Sequence, residues 1–210
     1  MSAARLGLAL LGIGLVVAAS GCVVDASGEK AVSTTVVTRP DPVPARWAKL
    51  EALLPDLPPV GFEKQSDGAA GAGAVDVRHA IDSDVGSDAE TFFIDQAFEK
   101  GYQRRFVDSD YTRHVDVWVY EFETPEYAAA WFLRTVRQAS ESGAGLDASA
   151  IPNSSGGQRE TSEGTVAVIA YPAGNRVVRV EAQDPEAAQA IARARDEAQL
   201  MLSTVPQPPT

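Results

Sequence analysis

Val115-Asp116-Val117-Trp118-Val119-Tyr120-Glu121-Phe122-Glu123, followed directly by Thr124-Pro125-Glu126, decides the architecture of this chain. The first nine residues are β-branched or aromatic at almost every second place and read as a strand. The next three open a helix. Thr124 is an N-cap that can accept a backbone N–H, Pro125 fits the first helical position, and Glu126 places an acid against the positive helix terminus. Ala128, Trp131, Phe132, Thr135, Val136 and Ala139 then recur at helical spacing. Residues 103–107 supply the partner strand.

Sixty residues later the same grammar returns. Thr165 to Ala170 and Arg176 to Ala182 read as strands around the turn Pro172-Ala173-Gly174-Asn175. Asp184-Pro185-Glu186 then caps a helix bearing Ala187, Ile191, Ala194, Ala198 and Met201. By offset, Trp118, Tyr120 and Phe122 correspond to Val178, Val180 and Ala182. Two tandem ββα units, at about 103–140 and 165–202, imply an α+β fold: one antiparallel sheet with helices packed on one face.

Outward from these units the signals weaken. Ala45 to Leu54 reads as a short helix with Trp47, Leu50 and Leu54 on one face, ended by Pro55, Pro58 and Pro59. Asp67 to Ala74 reads as a flexible loop, and Val75 to Ile81 alternates like a strand. Ser87 with Glu90 is a capping-box pattern for a helix through about Lys100, ended by Gly101. Residues 141–164 form a long polar connection rich in Gly and Ser, of the kind that serves as a lid or stays unstructured. Where it meets the 67–74 loop is the expected place for a binding site. The domain thus spans 45–204, with a Pro-rich tail at 205–210.

The N-terminus carries a different message. Arg5 is followed by the uncharged run Leu6 to Val24, 19 residues long, with small residues before Cys22, the one cysteine of the chain. Ala19-Ser20-Gly21-Cys22 resembles a bacterial lipobox. The resemblance implies a signal peptide at 1–21, diacylglyceryl transfer to the Cys22 sulfur, and a membrane anchor on the extracytoplasmic face. An uncleaved membrane span and an ordinary signal peptide are the competing readings. Residues 22–44 form the lipidated N-terminus and a tether whose prolines at 40, 42 and 44 keep its end extended. Removing the leader leaves 17 basic against 29 acidic side chains, a formal charge of −12. That balance argues against nucleic acid and against direct adsorption to anionic lipid, so attachment falls to the acyl chains.

Catalytic patterns are scarce. His79 falls on the apolar side of its expected strand, and His114 stands two residues from Asp116 near a strand start. Asp82, Asp84, Asp88 and Glu90 form an acidic cluster, but their spacing fails the EF-hand pattern. Gly71-Ala72-Gly73 lacks the remaining residues of a phosphate cradle. No catalytic residue, metal or cofactor is assigned. The residues proposed to contact a ligand are Trp118, Tyr120, Trp131 and Phe132, which either line a pocket for an apolar molecule or are core between sheet and helix.

Leu57-Pro58-Pro59-Val60-Gly61-Phe62, Gly73-Ala74-Val75-Asp76, Gly101-Tyr102-Gln103-Arg104, Tyr120-Glu121-Phe122, Ile151-Pro152 and Gly174-Asn175-Arg176-Val177-Val178 span most of residues 57–182. In these turns and core positions the chain resembles Ala-rich actinobacterial cell-envelope lipoproteins without an assigned activity. A weaker likeness is to PsbP-like actinobacterial lipoproteins. The lipobox, the tether and the scarcity of catalytic patterns point to an envelope lipoprotein that binds or supports a partner; the alternative is a carrier of a lipid or hydrophobic molecule near Trp118, Trp131 and Phe132, and a third is an envelope hydrolase. The resemblance carries over no catalytic residues.

Overall fold

The computed structural model describes residues 45–69, 72–83 and 88–208. The lipobox, Cys22 and the tether lie outside the described residues. In chain order the elements are α1 (Ala45–Glu51), β1 (Glu63–Lys64), β2 (Gly73–Val75), α2 (Val77–Ser83), α3 (Ala89–Asp95), β3 (Phe98–Val107), β4 (His114–Phe122), α4 (Pro125–Ser142), β5 (Ala144–Leu146), β6 (Ser155–Thr161), β7 (Gly164–Ala173), β8 (Arg176–Asp184) and α5 (Ala187–Thr204). The two ββα units are therefore β3–β4–α4 and β7–β8–α5. Their strands join one antiparallel sheet in the order β1-β3-β4-β8-β7-β6-β5, with β2 also on β3. The second strand of each unit meets the other at the centre, from His114 opposite Gln183 to Glu121 opposite Arg176.

Local chemistry explains the joints. Thr124 caps α4 by accepting the Tyr127 N–H at 3.4 Å, with Pro125 beginning the helix. Before α5, one Asp184 oxygen accepts the Glu186 N–H at 2.8 Å and the other pairs with Arg193. Gly174 opens the two-residue β7–β8 turn at φ +65°, a conformation an L side chain rarely adopts.

The α+β class stands, but helices cover both faces of the sheet. Val115, Val117 and Val119 of β4 share a core with Val178, Val180 and Ala182 of β8, with Ala190, Ala194, Ala198 and Met201 of α5, and with Trp47 and Leu50 of α1. The alternate β4 residues Trp118, Tyr120 and Phe122 pack on the other side with Ala128 and Trp131 of α4 and with Phe93 of α3. The cause lies in β4 itself, which is apolar on both faces and so needs cover on both. Antiparallel pairing sets Val119 opposite Val178 and Tyr120 opposite Val177, so residues equivalent by offset point to opposite faces.

Four weaker expectations are corrected. After Val75 the chain turns into α2, because Asp76 accepts the His79 N–H at 2.9 Å and starts a helix. α3 stops at Asp95, and Gly101, expected to end it, lies inside β3. A Cβ at Gly101 would come within 2.8 Å of the Tyr120 ring, so that position needs the absent side chain. The 141–164 connection carries two strands, β6 paired with β7 and β5 paired with β6, since ladder bonds need no apolar side chains. Between them, Ala148 and Ile151 enter the core. At the start of the expected tail, Val205 is also buried, its carbonyl accepting the Tyr171 hydroxyl at 3.3 Å.

Candidate functional site

The expected meeting of the 67–74 and 141–164 segments does not occur, because β2 lies beside β3 at one edge of the sheet and β5–β6 form the other. The first segment is held in place: Asp67 accepts the Tyr102 hydroxyl at 2.7 Å. In the acidic cluster, Asp82 pairs with Arg78 at 3.4 Å and Asp88 with Arg134 at 2.6 Å. Asp84 lies outside the described residues. His79 sits half-buried on α2.

Trp118, Tyr120 and Trp131 are brought together, with Phe132 half-buried at their side. Tyr120 and Trp131 pack with ring centroids 4.9 Å apart, and Phe122 lies 6.4 Å from Trp131. Phe98 adds edge contacts to Tyr120 and Phe122. Such offset and edge geometries are those of a packed aromatic core. Beside them, a crevice between α4 and β6–β7, lined by Thr135, Val136, Gly157 and Val168, holds about 10 Å³. That is room for one water molecule. Among the described residues, the Trp118 and Trp131 indole N–H groups have no hydrogen-bond partner.

A larger space lies further along the same face of the sheet and mixes polar with apolar lining. A cleft of about 300 Å³ is lined by Gln65, Arg105, Val107, Tyr111 and His114. Strand register builds its floor. Arg105 lies opposite Asp116 and Val107 opposite His114 across β3–β4. Asp116 in turn faces Glu181, and His114 faces Gln183, across β4–β8. The rim is the β3–β4 turn, where Tyr111 is exposed at φ +57°. That turn is organised by Asp108, which accepts from Arg113 Nε at 2.8 Å, the Arg113 N–H at 3.1 Å and the Thr112 hydroxyl at 3.1 Å. Burial pushes the Asp108 carboxyl up, but these donors outweigh it and bring its pKa to about 2.

Next to the cleft, and sharing Arg105 and His114 with it, lies a buried charged network. Asp116 Oδ1 accepts Gln103 Nε2 at 3.3 Å and faces Arg105 Nε at 3.6 Å. Glu181 Oε2 accepts Arg179 at 2.7 Å. Arg179 also lies over the Trp118 ring at 4.8 Å, which joins the network to the aromatic core. Burial is the main influence on Asp116 and lifts its pKa to about 7, aided by the charge of Glu181 and opposed by Arg105. Burial and then Arg105 push the His114 imidazole down, favouring its neutral form. His114 Nε2 and Asp116 Oδ2 stand 3.6 Å apart, beyond hydrogen-bond reach. The residues lining the cleft include no serine, threonine or cysteine to act as a nucleophile.

Sequence reasoning paired His114 with Asp116 but missed Arg105, Gln65, Tyr111, Arg179 and Glu181. The signal was present in β8, where Arg179 and Glu181 alternate with Val178, Val180 and Ala182 and so mark a polar face. Which residues stand across from them is a matter of register, and that needed the sheet.

No family model matches the chain, and no curated protein does. Among solved structures, the extracellular domain of PknH from Mycobacterium tuberculosis aligns at 16% identity and a TM-score of 0.46, over 76% of this chain and 98% of that one. Among the described residues, no helix is long and apolar enough to cross a membrane.

Proposed function

We propose that the protein is a lipid-anchored, extracytoplasmic binding or accessory protein of the cell envelope. In this reading it performs no catalytic step and receives a polar ligand, or a polar segment of a partner, in the Arg105–His114 cleft. The carrying observation is the contrast between two regions of one sheet face: the space of about 300 Å³ has Gln65, Arg105, Tyr111 and His114 on its lining beside Val107, while the aromatic side chains fill their own region. The lipobox-like Ala19 to Cys22 and the acidic chain support attachment through acyl chains on Cys22 rather than through surface charge. The likeness to actinobacterial envelope lipoproteins agrees with that placement.

The site is tested by placing a photo-crosslinking residue at Tyr111, on the cleft rim, in cells. Capture there should fall at least about tenfold with Arg105→Glu, whose reversed charge repels whatever Arg105 attracts. The same residue placed at Leu200, exposed on α5 across the sheet, should capture no comparable product. Equal capture at both positions, insensitive to Arg105, would refute the cleft as the binding site. For the anchor, Cys22→Ala should release the protein from membranes or leave its precursor uncleaved. Persistent partition of that variant into detergent would favour an uncleaved span.

A further inference from the structure

The charged network beside the cleft has the layout of a small metal centre. One ligand atom each from His114, Asp116 and Glu181 lies within 4.8 Å of the other two. All three side chains project from β4 and β8, the central strands of the sheet, so their backbones are held by ladders on both sides. Each carboxylate is used asymmetrically. Asp116 Oδ1 is held by Gln103 and Arg105, and Oδ2, which accepts no hydrogen bond among the described residues, is turned to His114. Glu181 Oε2 is held by Arg179, and Oε1 is paired more loosely with Arg159 at 3.9 Å. The His114 ring likewise makes no hydrogen bond among the described residues, although its side chain is only 14% exposed.

Ion pairing alone does not account for an Asp116 oxygen and an imidazole that make no hydrogen bond among the described residues, beside a Glu181 oxygen held only by a long ion pair. Groups that hold the outer oxygen of a carboxylate and leave the inner one free are what orients metal ligands. The 3.6 Å between His114 Nε2 and Asp116 Oδ2 is too long for a hydrogen bond and close to the edge of about 3.3 Å between two ligands of one tetrahedral metal. Drawing in the widest pair takes a movement of up to about 1.5 Å, which rotation of the Glu181 side chain can supply. The adjoining cleft, which His114 also lines, gives a route in and space for water as the remaining ligand.

We propose that His114 Nε2, Asp116 Oδ2 and Glu181 Oε1 bind a first-row divalent metal ion of the zinc or manganese kind. One imidazole with two carboxylates suits those ions better than calcium or magnesium, which take oxygen ligands. Arg105, Arg159 and Arg179 stay close by, so the metal acts as one element of a polar recognition surface. This deepens the reading of the cleft as a binding site and rests on it.

The test is calorimetric titration of the purified full-length protein, carrying a tag without histidine, with ZnCl2 and separately with MnCl2. The expected result is one site per chain, with little competition from Ca2+ or Mg2+. His114→Ala and Glu181→Gln should each weaken binding at least about tenfold, while His79→Ala leaves it unchanged. Absence of binding by the wild type, or unchanged affinity in both variants, would overturn the proposal. Crosslinking at Tyr111 separates the two levels: undiminished, Arg105-dependent capture by a protein that binds neither metal would remove the metal and leave the binding site standing.

Discussion

Glu197→Gln should make the protein more stable at pH 8 and leave it unchanged near pH 4.5. Glu197 stands on the buried side of α5 with Ala190, Ala194, Ala198 and Met201 and is only 8% exposed. Its Oε2 has no hydrogen-bond partner among the described residues. Burial, helped by the neighbouring charge of Asp196, raises its pKa from 4.5 to about 7. Below pH 4.5 the folded and unfolded chains both hold the proton, and Glu197 has no pH-dependent effect. Between pH 4.5 and 7 the folded chain keeps a proton that the unfolded chain loses, so stability falls as pH rises. Above pH 7 the cost is complete. A difference of about 2.5 units corresponds to about 3 kcal/mol at most, and side-chain relaxation toward solvent should bring it to about 1–2 kcal/mol. Glutamine keeps the shape and removes the ionisation. Urea unfolding of both proteins at pH 5, 6, 7 and 8 should therefore show a gap that opens with pH and levels off near pH 8. A variant no more stable than wild type at pH 8, or a gap that does not depend on pH, would refute the reasoning.

Trp131→Ala should cost about 3–5 kcal/mol in urea unfolding, because the indole is 3% exposed and packed on Tyr120; a loss below about 1 kcal/mol would mean the ring borders empty space. Gly101→Ala should lower stability by about 1–3 kcal/mol, since the new methyl meets the Tyr120 ring at 2.8 Å and the Val119 carbonyl at 3.2 Å; an unchanged melting temperature would contradict that contact. Asp108→Asn should destabilise the β3–β4 turn at neutral pH. The lowered pKa of Asp108 contributes stability above pH 3.8 that is lost as pH falls toward about 2, so the difference between variant and wild type should shrink over that window. A constant difference between pH 4 and 2 would contradict the hydrogen-bonded turn.

The ββα pairs were legible because they carry redundant local signals. Thr124-Pro125-Glu126 names a helix start, and Gly174-Asn175 sits in a tight turn. The layering was less legible, because Trp118, Tyr120 and Phe122 were matched to Val178, Val180 and Ala182 by offset, whereas faces are set by cross-strand register. A strand carrying valines on one parity and aromatics on the other already called for two covering layers. The segment 141–164 misled through its composition: Gly156 and Gly157 join a ladder through their backbones, and no side-chain pattern announces that. Gly101 misled in the opposite direction, because a glycine that ends helices also makes room for an aromatic ring. As for the site, one strand revealed the pair His114 and Asp116. Arg105 and Glu181 reach it from strands ten or more residues away in one case and some sixty-five in the other, and only pairing brings them in.

The central claim is that this domain recognises its ligand through the polar cleft and not through the aromatic cluster. Native mass spectrometry of the full-length protein purified from its own cells tests it most directly, with gas-phase activation to separate non-covalent ligands from acyl chains on Cys22. The account predicts no apolar ligand, and predicts that any stoichiometric organic adduct is polar and disappears with Arg105→Ala, whereas a metal ion on His114, Asp116 and Glu181 is retained. A stoichiometric lipid or apolar metabolite that survives Arg105→Ala and is lost with Trp131→Ala would contradict it and make the protein a carrier.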